Sequence, residues 1–413
     1  MTKGDIEAME QTSTLTIGAP KEAFPGERRV AITPSVVAGY VKAGLRVLVE
    51  AGAGQSAGFA DKAYVDRGAE IATRDQVLAV DVLAAVRVLG GDPASPDREH
   101  LRPGQVIVGT AAPLAAPEVA AAVAERGAVL YALELLPRTT RAQSMDVLSS
   151  QANIAGYKAV LLAAAALPKM APMLTTAAGT IAPAKVFIIG AGVAGLSAIA
   201  TARRLGAVVE AYDVRAAVKE EVQSLGARFI EFDLDTGQEG AGSGAYAAQM
   251  TDAQIAKQRE LMAKTIAGSD VVITTAQVQG ATAPVLVTKE MVAGMAPGSV
   301  IVDLAAEQGG NVEGSVAGET VDVGGVTIIG PANTPATVPH DASLTFAKNV
   351  ANFVALLVRD KALHIDVDDP VVQETVTTHD GQVVHPRVRE LLGLDPLPAP
   401  PAPVNADEGQ EAA

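Results

Sequence analysis

The residues AKVFIIGAGVAGLSAIATARRLGAVVEAYDV, at 184–214, decide the fold. They begin with the apolar run Val186–Ile189, suited to a buried strand. They then pass through Gly190, Gly192 and Gly195 into a helix ending at Leu205-Gly206, and resume as a strand that closes at Asp213. Strand, glycine-rich turn, helix and strand in that order make the βαβ unit that receives a dinucleotide. Gly190 permits the tight turn, Gly192 lets backbone N–H groups approach a pyrophosphate, and Gly195 lets the helix press on the sheet. A Cβ at Gly192 is expected to obstruct binding. Asp213 lies 18 residues past Gly195, where a carboxylate accepts both ribose hydroxyls and repels the extra phosphate of NADP, so NAD(H) is favoured. Arg215, two residues on, is placed to hold that phosphate, which keeps NADP as the lesser alternative. A glycine-tight turn with no ligand is the remaining reading of the motif.

Outward from this stretch the pattern repeats. ARFIEF, DVVITTA, SVIVDLA and VTIIG read as strands, with a helix over 288–295, and complete a doubly wound unit. Gln277 follows DVVITTA at a carboxyl end of the sheet, where it is either a ligand contact or a solvated loop residue. Within the polar segment 235–250, Gly242-Ser243-Gly244 with Tyr246 and Met250 reads either as a glycine-hinged lid or as a surface loop. Upstream, LTIGAP, RVLVEAGAG, AVDVLAAVRVL, QVIVGTA and AVLYALELLP alternate with helical stretches and predict a second parallel sheet. The fold class is therefore α/β, with two Rossmann-like, doubly wound parallel-sheet domains and a cleft between them. The first domain spans 14–148 and is completed by 338–392, where SLTFAKNVANFVALLV reads as a helix and TVTTHDGQVVHP as a hairpin turning on Asp380-Gly381. The second domain spans 149–337. Residues 1–13 and the Pro-rich, acidic 396–413 are expected to carry no fixed structure.

Composition narrows the function. The chain of 413 residues carries 15 surplus negative charges and is only 3% aromatic, with no Lys/Arg block, which excludes docking on nucleic acid. It has no Cys, which excludes disulfides, thiolate catalysis and thiolate metal sites, and no metal is called for. Every apolar run is interrupted before about 18 residues, the length a membrane span needs. Residues 1–13 lack an apolar signal core, so a cytoplasmic protein is expected.

Oxidation of an alcohol or amine by NAD releases a proton and needs a base, usually His or Lys. His100, His340, His364, His379 and His385 all fall outside the strand ends of the first domain and read as surface residues. The polar cluster that stands out is PRTTRAQSMDVLSSQANIAGY, at 137–157, on the junction of the two domains. There Arg138, Arg141, Gln143, Asp146, Ser149 and Tyr157 crowd onto a loop and a helix start. Asp146 and Ser149 share a helix face suited to a carboxamide. The competing account is helix capping by Ser144 and Asp146 together with a surface ion pair. A site rich in amides and hydroxyls but poor in bases suits hydride exchange between two nicotinamides, which needs alignment and no acid–base residue.

RAQSMDVLSSQANIAGYKAV, MLTTAAGTIAPAKVFIIGAGVAGLSAIATARRLGA, YDVRAAVKEEVQSLGA and MAPGSVIVDLA closely resemble the NAD(H)-binding component, domain I of the α subunit, of proton-translocating nicotinamide nucleotide transhydrogenases. The likeness runs from about Leu15 to Pro386. It implies that Arg138, Gln143, Asp146, Ser149 and Tyr157 are the nicotinamide-side residues, with Gln143 reaching toward NADP(H) on a partner subunit. It puts Val193, Asp213, Val214, Arg215, Gln258 and Gln277 at dinucleotide contacts, Tyr246 and Met250 on a mobile loop, and Arg29 at the family's early arginine. It also implies a homodimer docked on the inner face of the cell membrane through membrane-spanning subunits, one carrying the NADP(H)-binding domain, with hydride transfer from NADH to NADP⁺ coupled to proton translocation. The relative to weigh against it is alanine dehydrogenase, which shares both domains. Its substrate lysine near 82–89 and its histidine near 108–111 have no counterpart in AAVRVLGGDP and VIVGTAAP, and Glu307 stands where it has a catalytic aspartate. A non-catalytic NAD-binding sensor is the third reading.

Overall fold

The structure is a computed structural model, and it describes residues 14–231, 252–277, 280–366 and 368–397. Six short strands open the chain: β1 (Thr16–Ala19), β2 (Arg46–Glu50), β3 (Glu70–Ala72), β4 (Val82–Arg87), β5 (Val106–Thr110) and β6 (Val129–Ala132). They pair in parallel in the order β3-β2-β1-β4-β5-β6. Parallel strands are covered on both faces, so their sequences read as near-continuous apolar runs. In β4, VLAAVR, every residue but Arg87 is buried. The connecting helices begin with local signals: Pro34 and Pro117 at first helical turns, and a reciprocal cap of Thr73 with Gln76.

The helix Val147–Ala166 leaves this sheet. A Cβ on its Gly156 would lie 2.0 Å from the Ala194 carbonyl oxygen, so glycine there allows a close approach to the helix Val193–Arg204. After it comes a hairpin of β7 (Leu174–Thr176) and β8 (Gly179–Ile181), whose strands pair only with each other. The second sheet follows: β9 (Lys185–Ile189), β10 (Val208–Tyr212), β11 (Arg228–Phe229), β12 (Val271–Thr274), β13 (Val300–Asp303), β14 (Thr320–Val323) and β15 (Val326–Ile329). Its order is β11-β10-β9-β12-β13-β15-β14. It is parallel except for the edge strand β14, which departs from the expected all-parallel pattern by folding back on β15.

The chain returns through Asn333, whose φ of 42° is left-handed, into the helix Pro339–Leu357. Phe346, Val350 and Phe353 of that helix join the core of the first sheet. A small hairpin, β16 (Val358–Arg359) with β17 (Ala362–Leu363), follows. Then β18 (Val376–His379) pairs antiparallel with β6, and β19 (Gln382–Val383) folds back on β18. Asp380 and Gly381, with φ of 47° and 73°, form the predicted turn. Both sheets reverse their strand order beside the first strand, between β1 and β4 and between β9 and β12. Ligands of open α/β sheets bind at such reversals.

Candidate functional site

The second sheet's reversal holds the glycine motif. Gly190 has φ 98°, and its N–H donates to the Tyr212 carbonyl oxygen at 2.8 Å, which fixes the turn. A Cβ at Gly195 would sit 1.9 Å from the Gly190 carbonyl oxygen, so this glycine brings the helix onto the sheet. Gly192 differs: no atom lies within 4 Å of where its Cβ would be, so packing does not require glycine there. The space belongs to the cavity that the Gly192 backbone lines. Gly192 is also the N-cap of Val193–Arg204 and offers no side chain to the first-turn N–H groups. Uncapped donors at a helix N-terminus suit a phosphate.

Asp213 ends the next strand. Burial opposes its ionisation, but the Arg215 guanidinium and the N–H groups of Arg215 and Ala191 outweigh that and hold its pKa below the usual value. Its Oδ1 accepts from Arg215 N and Nε, both at 2.9 Å, and its Oδ2 accepts from Ala191 N at 2.7 Å and Arg215 Nη2 at 3.0 Å. Across the reversal, Thr275 Oγ1 donates to the Gly190 carbonyl oxygen at 3.1 Å, and Gln277 Nε2 to the Leu304 carbonyl oxygen at 2.6 Å. Gln277 is therefore a tethered side chain rather than a solvated loop residue.

A cavity of about 750 Å³ runs from this turn to the opposite wall, within the range of small-molecule sites. Gly190, Gly192, Val193, Asp213, Val214, Arg215 and Gln277 line one side; Arg138, Gln143, Asp146 and Ser149 line the other. Two segments far apart in sequence thus face one space. Tyr157 does not line it: the helix carries this exposed side chain about 15 Å from its own N-terminus. Tyr246 and Met250 lie outside the described residues, as does the side chain of Gln258, although its backbone belongs to the helix Asp252–Ala267.

Of the two caps left open by the sequence, the structure takes Asp146 alone. It accepts from Ser149 N at 2.9 Å and from Ser149 Oγ at 2.5 Å. The Ser144 carbonyl oxygen instead receives the amides of Asn349 and Asn352 at 2.9 and 2.8 Å. Arg141 pairs with Asp369 at 2.5 Å and does not line the cavity. Arg138 and Gln143 are exposed and make no hydrogen bond to any described side chain, so both are available to a ligand or a partner.

Sequence reasoning missed Glu134, which lines the cavity where β6 gives way to a loop. Burial lifts its pKa to about 7, and the N–H groups of Ala111 and Ala112, at 2.9 and 2.7 Å from Oε1, pull the other way. No local pattern marks it, because its burial comes from β5 and the turn after it. It also missed Asn311, whose amide bridges the Ala276 and Pro284 carbonyl oxygens at 2.9 and 2.8 Å and shapes the cavity edge. Asn311 in turn rests on the buried Asp303, which accepts its N–H at 2.9 Å.

The first sheet's reversal is filled by its own chain. Glu22 accepts the N–H groups of Val86 and Arg87 at 2.6 and 3.0 Å, and Arg87 stacks on the Phe24 ring at 4.0 Å. Glu27 grips Arg29 bidentately at 2.8 and 2.7 Å, and Arg29 also reaches Gln151 at 2.9 Å and Asn333 at 3.2 Å. Both crossings between the sheets, one at Gln151 and one at Asn333, are thereby tied to a single guanidinium. Burial opposes the charge on Glu27, but Arg29 and Asn333 outweigh it and bring its pKa to about 2.

Glu22 gives a pH prediction. Burial raises its pKa from 4.5 to about 7, against the two N–H bonds. Between those values the folded chain keeps a proton that the unfolded chain has released, so this contribution to stability is full below 4.5 and lost as pH rises through about 7. The parent's stability relative to Glu22→Gln is expected to be greater at about pH 5 than at about pH 8, by on the order of 2 kcal/mol, in denaturant unfolding. A lead that grows with pH would mean that Glu22 is ionised in the fold.

These features define a dinucleotide-binding α/β protein with its cavity between two doubly wound sheets. The models "Alanine dehydrogenase/PNT, N-terminal domain" and "Alanine dehydrogenase/PNT, C-terminal domain" match residues 18–155 and 159–386. The chain is 46% identical to the first of the polypeptides that make up the NAD(P) transhydrogenase subunit alpha of Rhodospirillum rubrum, over 90% of this chain and 98% of that one. It is 30% identical to the alanine dehydrogenase of Bacillus subtilis, over 93% and 97%. The solved transhydrogenase from Sinorhizobium meliloti superposes with a TM-score of 0.78 at 44% identity, covering 90% of this chain and 99% of that one. The chain belongs to the alanine dehydrogenase/PNT family, on the side of the NAD(P) transhydrogenase alpha subunits, an oxidoreductase family that binds NAD(H).

Proposed function

We propose that the chain is the NAD(H)-binding subunit of a proton-translocating transhydrogenase, passing hydride from NADH to NADP⁺ held by a partner subunit, with proton movement supplied by membrane-spanning partners. The observation that carries this is the cavity itself: the glycine turn and Asp213 on one wall, and the exposed Arg138 and Gln143 with the Asp146–Ser149 pair on the other. Gly190, Gly192 and the first turn of Val193–Arg204 would hold the pyrophosphate, Asp213 the adenosine ribose, and Gln143, Asp146 and Ser149 the nicotinamide end. The bound nicotinamide supplies the hydride. The chain's own residues supply orientation and leave Gln143 facing outward toward the second nucleotide. None of the five histidines lines the cavity, nor does any lysine among the described residues.

An amino-acid dehydrogenase reading needs a carboxylate-binding cation and a base. Arg29 is buried and spent on Glu27, Gln151 and Asn333, which speaks against the first. Glu134 is the one observation in favour of the second. Mixing the chain with an NADP(H)-binding transhydrogenase domain and following reduction of an NAD analogue by NADPH tests the proposal. NADH oxidation dependent on pyruvate and ammonia, by the chain alone, would replace it with the alanine dehydrogenase reading. NADH binding without either turnover would leave a sensor module.

The assembly we propose is a homodimer, peripheral to the inner face of the membrane; no described helix is long and apolar enough to cross one. The hairpin of β7 and β8 supports the dimer. All six strand residues are exposed, and Met173, Leu174 and Ile181 present apolar surface. An isolated two-stranded hairpin is marginal in water and is stabilised when a neighbour covers it. Leu174→Asp with Ile181→Asp is expected to convert a dimer to a monomer in light scattering, with unchanged circular dichroism. A double variant that stays dimeric removes the hairpin from the interface.

A further inference from the structure

We infer that Arg215 competes with the adenosine ribose for Asp213, so that removing this arginine tightens NADH binding instead of weakening it. The inference rests on the reading that NADH places its adenosine ribose on Asp213. A carboxylate offers about four acceptor positions. At Asp213 all four are taken, three of them by Arg215 through its backbone N–H, Nε and Nη2, and the fourth by Ala191 N. The two backbone bonds hold the glycine turn and the chain after the strand, and a ligand does not need to break them. The two guanidinium bonds occupy the outward positions, on a side chain 59% exposed at the cavity rim. A ribose diol therefore gains its bonds to Asp213 only as the guanidinium leaves. Glu221, on the helix Lys219–Ser224, acts on Arg215 electrostatically and offers it somewhere to go.

The same pair sets the choice of nucleotide. A 2′-phosphate at this subsite meets the Asp213 carboxylate while the guanidinium that suits it is already turned onto that carboxylate. Arg215 thus rejects NADP(H) as long as Asp213 is charged, and accepts it when Asp213 is not.

Fluorescence titration of the full chain tests this. Arg215→Ala is expected to bind NADH about fivefold more tightly than the parent, about 1 kcal/mol, and Arg215→Lys, which keeps the charge but loses the fork, to fall between them. The analogue lacking the 2′-hydroxyl of the adenosine ribose should gain less than NADH does. Asp213→Asn should strengthen NADPH binding about tenfold, and Asp213→Asn with Arg215→Ala should not. Parent that binds NADH, with Arg215→Ala weaker or equal, overturns the inference and leaves the functional proposal standing. Parent that binds no NADH overturns both.

Discussion

Gln143→Asn is expected to slow hydride exchange with an NADP(H)-binding partner about a hundredfold while leaving NADH affinity within about twofold. The side chain keeps its amide and loses one methylene, so its chemistry is retained and its reach is shortened by about 1.5 Å, one carbon–carbon bond. In the structure Gln143 opens a short helical turn, Gln143–Met145, that is anchored from behind by the buried Met145. The backbone of the turn is thus held while the side chain is exposed on the cavity wall. A residue so placed contributes through where it points. Misplacement of about 1 Å in a reacting pair costs about a hundredfold, because the near-attack geometry is lost while ground-state contacts persist. Stopped-flow mixing gives the rate and equilibrium titration the affinity. Equal rates in variant and parent would remove Gln143 from the reaction. A loss confined to affinity would make it a binding residue only.

Arg29→Met is expected to destabilise the chain by about 3–5 kcal/mol, the range for removing one member of a buried ion pair. The ion pair is almost fully enclosed, with side-chain exposures of 8% for Arg29 and 0% for Glu27. Methionine fills much of the volume but leaves the Glu27 carboxylate with only the Asn333 amide and backbone N–H groups as donors. It also frees Gln151 and Asn333, so both crossings between the sheets lose their common tether. Denaturant unfolding measures the loss, and a separate, earlier transition for one sheet is expected as cooperativity between the two weakens. Glu27→Leu with Arg29→Met should recover part of the loss, since no charge then remains buried. A single variant within about 1 kcal/mol of the parent would show that the pair contributes little beyond filling space.

The second sheet is legible in the sequence because its signals are local. The glycines at 190 and 195 answer to steric demands within a few residues, a turn at φ 98° and a helix pressed to 1.9 Å from a carbonyl. The hairpin at Asp380-Gly381 is of the same kind. The polar cluster at 137–157 is visible as residues, but its members separate in space. Arg138, Gln143, Asp146 and Ser149 line the cavity, Arg141 turns to Asp369, and Tyr157 is carried away by helix geometry. By sequence the Asp146–Ser149 pair reads both as a carboxamide holder and as a cap. The cap is what the fold makes of it, and it leaves Asp146 held rigidly at the cavity wall.

The order of strands and helices, the glycine turn, the acidic residue after it and the kinship with transhydrogenase alpha subunits were determined by the sequence by itself, because each depends on neighbours a few residues apart or on words of text shared with relatives. Tertiary structure alone decided that the reversal of the first sheet is filled by Glu22, Glu27 and Arg29, that Glu134 is an acid near neutrality on the cavity wall, and that Arg215 already holds Asp213. Those outcomes depend on burial and on partners that are brought together only when the chain has folded. A carboxylate's protonation and a guanidinium's availability are properties of its enclosure, which no stretch of sequence carries.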